Sequence, residues 1–580
     1  MSKKKQVQNG ELKRVKEERR DWKRFLKTSL LLIGTMVLLP SCGNTVSTQK
    51  EPTKQVQAVK SVQKNTDVSF KKATKSQSSS NVEYRLPVKD GLKVYTEEKQ
   101  TKVKALIDKQ LKNNEYTIKK PLVYYNPFGT NLRSANVYFK TKDPYQVEYT
   151  ISVADKEIKD FTKKLNAGTK SGYTTNHAYQ LIGLVPNKKN QITLKLYNRK
   201  GKLVKSTSFT IQVPKVSSSA EEQLKVTKAK KVTLTDGLYM LSFGRVGGQL
   251  PNINIYDNDG RIRAELPLES YRSDRILQIG NYLYYGVGYS KLVKVNRLGQ
   301  VVRIYSLGNY TMHHDFTYEK AQNSLIILAS KKGDSVVEDL VLQVNIGTGK
   351  VKELLDLKDI FPKEYEKAKK PESKKVLDWA HINTVQCVNG TDLILSFREL
   401  SSIVKVDNVY IKPKLRSILC DKEVWKGSAY EKYVYTKDGD FTAQAGQHTV
   451  TYIEGKTKDK YRLHMFNNNL AYSGTRPDID WSGYTLAQIP VEKRHSYYYE
   501  YEVDENKKEF RLVKSFAVPY SGYISSSEQV GAHYVVCSGS ARVFGEYDKN
   551  GKLLAQYETS DQRAIYRAFK YNFKGIWFAK

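Results

Sequence analysis

The sequence predicts an all-β chain: a six-bladed β-propeller preceded by a small β-sandwich, behind an N-terminal signal or lipoprotein segment. Three observations carry this. Strand formers dominate, with 41 Tyr and many Val, Ile and Thr, punctuated by Gly and Asn-Gly. A strand-turn-strand unit recurs six times: "INIYDNDGRIRAEL", "LVKVNRLGQVVRIY", "VLQVNIGTGKVKELL", "IVKVDNVYIKPKLRSIL", "YEYEVDENKKEFRLV" and "VFGEYDKNGKLLAQY". Most units are preceded by another strand pair, such as "RILQIGNYLYYGVG", "SLIILAS", "DLILSFRE" or "HYVVCSGS". Six four-stranded units make six propeller blades, whereas a pair of stacked sheets would not explain the period.

The elements follow in order. Residues 1–41 read as a leader, with a basic stretch from Lys3 to Lys27 and the apolar run "LLLIGTMVLL". That run is too short to span a bilayer comfortably, which takes ~20 residues. "LLPSC" resembles the lipobox of bacterial lipoproteins, implying cleavage before Cys42 and lipidation of its thiol. An uncleaved signal anchor is the alternative. Either route exports the protein, and the lipobox places it on the extracellular face of a bacterial membrane. Residues 42–82, rich in Ser, Thr, Gln, Lys and Val, read as a disordered tether. Residues 83–215 read as the β-sandwich, with one amphipathic helix over "TEEKQTKVKALIDKQLKNN". The propeller is expected over 229–580. Cys387, Cys420 and Cys537 fit neither a metal site nor a disulfide framework.

The net charge of +37 invites a nucleic-acid reading. The cations are dispersed, however, and much of the excess lies in the first 80 residues. No nucleic-acid module is recognisable. A surface in contact with an anionic membrane or cell-wall polymer accounts for the charge.

Only eight histidines occur, and three of them keep a period: from 314 to 381 and from 381 to 448 are 67 residues each. Each leads a comparable phrase, "HDFTYEKAQNSLIILAS", "HINTVQCVNGTDLILSF" and "HTVTYIEGKTKDKYRLHMF". If the units are blades, the three occupy one level of three neighbouring innermost strands and converge on the axis. Strand alternation then turns His313 to the opposite face, unless a bulge reverses the pair.

Hairpin counting adds a fourth residue. A two-residue turn at Asn389-Gly390 pairs Val388 with Thr391 and brings His381 opposite Arg398. Asn383 shares the face of His381. Trp379 shares its parity near the channel mouth and is the candidate for stacking on a bound ligand. Three imidazoles suggest zinc, but a fixed Arg beside a dication is unfavourable, and no Asp or Glu stands at the matching repeat positions. The set suits a tetrahedral oxyanion, phosphate or sulfate. No metal and no cofactor is expected.

At these residues "HHDF", "DWAHINTV", "LSFRELSSIVKVD" and "GQHTV" resemble, in the same order, the motifs of the arylsulfate sulfotransferase family. The resemblance implies transfer of a sulfuryl group from an aryl sulfate to a phenolic acceptor, by two-step exchange through a sulfated histidine and without a nucleotide donor. It implies His448 as nucleophile, with His314, His381, Asn383 and Arg398 binding and polarising the sulfuryl oxygens. His314 or His381 would then protonate the leaving phenol. It also makes a homodimer an expectation. The rival readings are a non-catalytic surface propeller that binds anionic polymers and an esterase acting on sulfate or phosphate esters.

Overall fold

A computed structural model describes residues 66–580, except 219, 244–250, 272, 483 and 485–488. Most of the leader and tether, including Cys42, lies outside the described residues. Among those described, no helix is long and apolar enough to cross a membrane.

The N-terminal unit is a two-sheet sandwich sharing one long strand, Ser134–Ser152. Its first half pairs with Leu122–Tyr125 and Thr174–Ile182; its second half pairs with Phe161–Lys164 and Lys189–Tyr197. A strand that changes sheets closes a sandwich corner without a loop. The expected helix forms over Glu97–Asn113. Thr96 caps it by accepting from the Lys99 amide, and Glu97 and Glu98 sit at the positive end of the helix dipole. Its buried face carries Val103, Ile107 and Gln100. The Gln100 side chain accepts from the Val301 amide of the propeller at 3.0 Å.

Two boundaries differ from expectation. Phe70–Lys72 forms an edge strand on Glu83–Pro87, so the sandwich begins inside the stretch read as tether. The polar composition of 66–82 hid a short strand that the neighbouring edge supplies with its backbone partners. Lys225–Lys228 pairs as a fifth strand with Leu553–Glu558, so the propeller begins before residue 229.

Six sheets follow, each built round four antiparallel strands. All six quoted units are the third and fourth strands of a blade. The innermost strands, Ile276–Ile279, Tyr310–Glu319, Ile382–Val388, His448–Thr457, Ser526–Val530 and Ile565–Tyr571, belong to blades two to six and then one. Thus the first blade takes its inner strand from the C-terminus: Ile565–Tyr571 pairs with Leu238–Phe243. This closure removes the open edge of the ring.

The inner strands are also stitched by a buried ion network. Asp315, wholly buried, accepts from Arg567 of blade one at 2.9 Å, lies 2.7 Å from Arg275 at the start of blade two, and accepts from the Val385 amide of blade four at 3.2 Å. Arg567 also donates to the Asn383 carbonyl at 2.8 Å. The aspartate of "HHDF" therefore fixes the angular spacing of the strands that carry the histidines. The sandwich docks through Arg133, which reaches Glu265 and Glu222, and through Asn166, which donates to the Gly575 carbonyl at 2.7 Å.

Candidate active site

The three periodic histidines lie on adjacent inner strands: His314 within Tyr310–Glu319, His381 just before Ile382–Val388, and His448 opening His448–Thr457. The ladder to the second strand breaks at each place, between Met312 and Phe316, Ile382 and Thr384, and His448 and Thr451. His314, His381 and Thr449 have φ of 51°, 48° and 51°. Non-glycine residues in this region cluster at functional sites, where the surroundings hold them against their preference. The bulges also overturn the alternation argument for His313. Its ring lies 5.1 Å from that of His314 and not across the sheet, so both histidines of the pair border the site.

The His314 and His381 rings are 4.8 Å apart. Glu338, from the turn between the second and third strands of blade three, lies 2.8 Å from His314 Nε2 and 2.9 Å from His381 Nδ1. Asp378 lies 2.5 Å from the same His381 nitrogen. Burial disfavours charge on His381, but the two carboxylates outweigh it and lift its pKa to about 10. Burial prevails at His314, helped by the neighbouring imidazoles, and holds its pKa near 3 despite Glu338. Its Nδ1 meets the Tyr566 hydroxyl at 2.5 Å. Burial raises Asp378 to about 6, with Glu338 adding to the effect.

His448 is set differently. Its Nδ1 faces two neutral oxygens, Asn468 Oδ1 at 2.7 Å and the Gly446 carbonyl at 3.1 Å. Burial drives its pKa well below the ordinary range, against the bond to Asn468, and the neighbouring His314, His381 and Arg398 reinforce the fall.

Arg398 stands beside His381 as expected, its amide donating to the His381 carbonyl at 3.2 Å. The route differs. The loop holds three residues, because Val388 pairs with Asp392, and the bulge at Asn383 restores the count. The Arg398 guanidinium pairs with Glu399, whose other oxygen accepts from Ser473 at 2.8 Å and the Gly474 amide at 2.7 Å. Asn383 is fully buried, and its amide donates to the Gln447 carbonyl at 2.8 Å. It thus clamps the strand entering His448. Trp379 does not line the channel. It is 1% exposed, packs edge-on to Tyr365 and Phe397, and donates to Asp339 at 3.3 Å. Parity placed it on the right face, but the blade core closes over it.

Sequence reasoning missed Glu338, Asp378, Glu399, Tyr566 and Asn468. Asp378 lies within the quoted "DWAHINTV", and Asn468 within the run "NNN"; Glu338 carries no repeat signal. No Asp or Glu stands at the matching repeat positions, and loops bring Glu338 and Asp378 to the histidines instead. Among the described residues, two groups could hold a cation: His313, His314 and Glu338, and Glu338, Asp378 and His381, each with donor atoms within 4.8 Å of one another. In both, imidazole nitrogens already face a carboxylate.

Fold and site together define a propeller whose adjacent inner strands gather imidazoles beside one guanidinium, two of the histidines in the left-handed region. The class is that of β-propellers with a buried imidazole cluster on adjacent inner strands. Residues 223–573 match the arylsulfotransferase (ASST) family and residues 122–214 the arylsulfotransferase Ig-like domain; the chain belongs to the arylsulfotransferase family. No curated protein matches the chain. Among solved structures it is similar to virginiamycin B lyase from Staphylococcus aureus, at 10% identity over 58% of this chain and 89% of that one, with a TM-score of 0.28. It is also similar to BamB from Moraxella catarrhalis, at 10% identity over 61% and 97%, with a TM-score of 0.30.

Proposed function

We propose that the protein transfers a sulfuryl group from an aryl sulfate to a phenolic acceptor in two steps, through a sulfated His448 and without a nucleotide donor. The observation that carries this reading is the state of His448, a buried imidazole kept uncharged beside Arg398, His314 and His381. A nucleophile must be neutral, and its neighbours must carry the positive charge that sulfuryl oxygens need.

The roles divide as follows. The Arg398 fork and the His314 ring stabilise charge on the sulfuryl oxygens. Sulfuryl transfer, like phosphoryl transfer, passes through a loose in-line transition state, so positioning and oxyanion stabilisation supply most of the acceleration. His381, held as imidazolium by Glu338 and Asp378, protonates the leaving phenol oxygen and recovers that proton from the acceptor. Of the two imidazoles that sequence reasoning left open for this step, His381 carries the available proton. Asn383 acts through the backbone entering His448.

The lipobox-like leader and basic tether favour an exported protein held at the extracellular face of the membrane, and a homodimer fits the same reading. The test is incubation with 4-nitrophenyl sulfate, with and without phenol, followed by peptide mapping. Nitrophenol release that depends on phenol, with a labile adduct on His448, is expected. Release independent of acceptor would identify an esterase, and no release a binding protein.

A further inference from the structure

We propose that Asn468 is the positioning residue that sets the tautomer of His448, keeping the proton on Nδ1 through both halves of the exchange. This deepens the sulfuryl-transfer reading and rests on it for its kinetic consequences.

The geometry leaves one assignment. Asn468 Nδ2 sits 2.7 Å from the Ser521 carbonyl and 2.9 Å from the Ile524 carbonyl. Both are acceptors only, so the amide nitrogen must occupy that side and Oδ1 must face His448. His448 Nδ1 thus meets two oxygens that cannot donate, Asn468 Oδ1 and the Gly446 carbonyl. It therefore carries the hydrogen, and the lone pair lies on Nε2. Asn468 is wholly buried, so no solvent competes for the bond.

The loop that holds Asn468 is itself under constraint. Ile524 has φ of 54° and Ser525 of 95°. A β-branched residue is a marked outlier there. The distorted turn is what presents the Ile524 carbonyl, with that of Ser521, to one amide. Ser525 Oγ bonds to Ser521 Oγ at 2.8 Å, and Ser496 Oγ bonds to the Asn468 carbonyl at 3.1 Å, so the scaffold is tied at several points.

The chemistry explains why a neutral amide stands here. In the first step Nε2 donates its pair to sulfur, the S–O bond to the aryl group breaks, and the phenol oxygen takes a proton from His381. The sulfated ring keeps Nδ1–H. In the second step the acceptor oxygen bonds to sulfur and passes its proton to His381, and the N–S pair returns to Nε2. Because Nδ1–H is retained, the group that leaves is neutral imidazole and not imidazolate. A carboxylate at this place would hold the same proton but would also protonate the resting ring, as the carboxylates do at His381. The Asn468 bond by itself favours the protonated ring, but burial outweighs it, so Asn468 orients an imidazole that stays uncharged.

The experiment uses the full chain labelled with ¹⁵N-histidine, with His448 assigned by its loss in His448→Gln. Long-range ¹H–¹⁵N correlation is expected to show His448 protonated on Nδ1. Asn468→Leu should admit the Nε2–H form and lower kcat for phenol-dependent nitrophenol release, by roughly 10²–10⁴-fold on the scale of other mis-set catalytic imidazoles. KM should hold, because Asn468 does not touch substrate. Asn468→Asp should keep Nδ1–H and recover activity at alkaline pH, with the acid limb of its pH profile moved upward. A wild-type ring protonated on Nε2, an Asn468→Leu chain with the wild-type tautomer and rate, or an Asn468→Asp chain inactive at every pH would each overturn the proposal. If the wild-type chain releases no nitrophenol in the presence of phenol, the transfer reading falls instead. The nitrogen spectra then still decide the tautomer.

Discussion

His381 and His448 hold the same place in the 67-residue repeat, yet the fold gives them opposite characters. His381 rests on two carboxylates, Glu338 and Asp378, and holds its proton to about pH 10. His448 rests on an amide and a backbone carbonyl and stays uncharged. Both rings suffer the burial that disfavours charge; the difference lies in the groups facing Nδ1. In the proposed mechanism one repeat position thus serves as acid or as nucleophile, according to whether a loop delivers a carboxylate or a neutral oxygen.

This contrast can be broken most completely at His448, the proposed nucleophile. His448→Ala should abolish phenol-dependent nitrophenol release and the adduct together. Next comes Arg398, proposed to bind the sulfuryl oxygens. Arg398→Ala should lower kcat by on the order of 10²–10³-fold, and Arg398→Lys should restore only part, because a point charge lacks the planar fork. Steady-state rates at saturating phenol check both.

The carboxylate side is sharpened by Glu338→Gln. Removing one of the two anions at His381 should lower its pKa, so the alkaline limb of the pH–rate profile moves down from near 10 while the acid limb, set by His448, stays. The same groups govern stability. The raised pKa of His381 contributes stability that is fully present below about 6.5, the ordinary histidine value, and is lost as pH rises toward 10. His314, held near 3, acts in the other sense. The unfolded chain binds a proton that the folded one refuses, so stability falls as pH drops below about 6.5. His177 and His464, each held near 4 by burial, add to that acid-side loss. The melting temperature should therefore decline on both sides of neutrality.

Trp379 gives the smallest effect on catalysis. Trp379→Phe should reduce thermal stability, by about 1–3 kcal/mol for lost volume and a buried hydrogen bond. It should leave KM for differently sized aryl sulfates unchanged. A change in aryl preference without loss of stability would return this residue to the channel.

Much of the fold was legible because its signals are local. The third and fourth strands of each blade carry a turn between two apolar runs, so they stand out six times. The capped helix at Glu97–Asn113 shows its start, its acidic first turn and its apolar stripe. The inner strand of the first blade was not legible, because Ile565–Tyr571 pairs with Leu238–Phe243 across more than three hundred residues. Within the site the period identified three imidazoles, and the hairpin brought Arg398 to His381. Trp379 was misplaced because parity gives a face but not what covers it.

Residue order alone thus carried the repeat, the strand alternation and the histidine spacing, since each depends on neighbours a few positions away or on equal steps along the chain. Charge state was decided by tertiary structure. Glu338 reaches two histidines from a turn, Asn468 reaches a third from a loop, and bulges turn His313 toward His314 where simple alternation would separate them. An imidazole's pKa and tautomer follow from what lies within hydrogen-bond reach and how much water is excluded, and neither is a property of sequence distance.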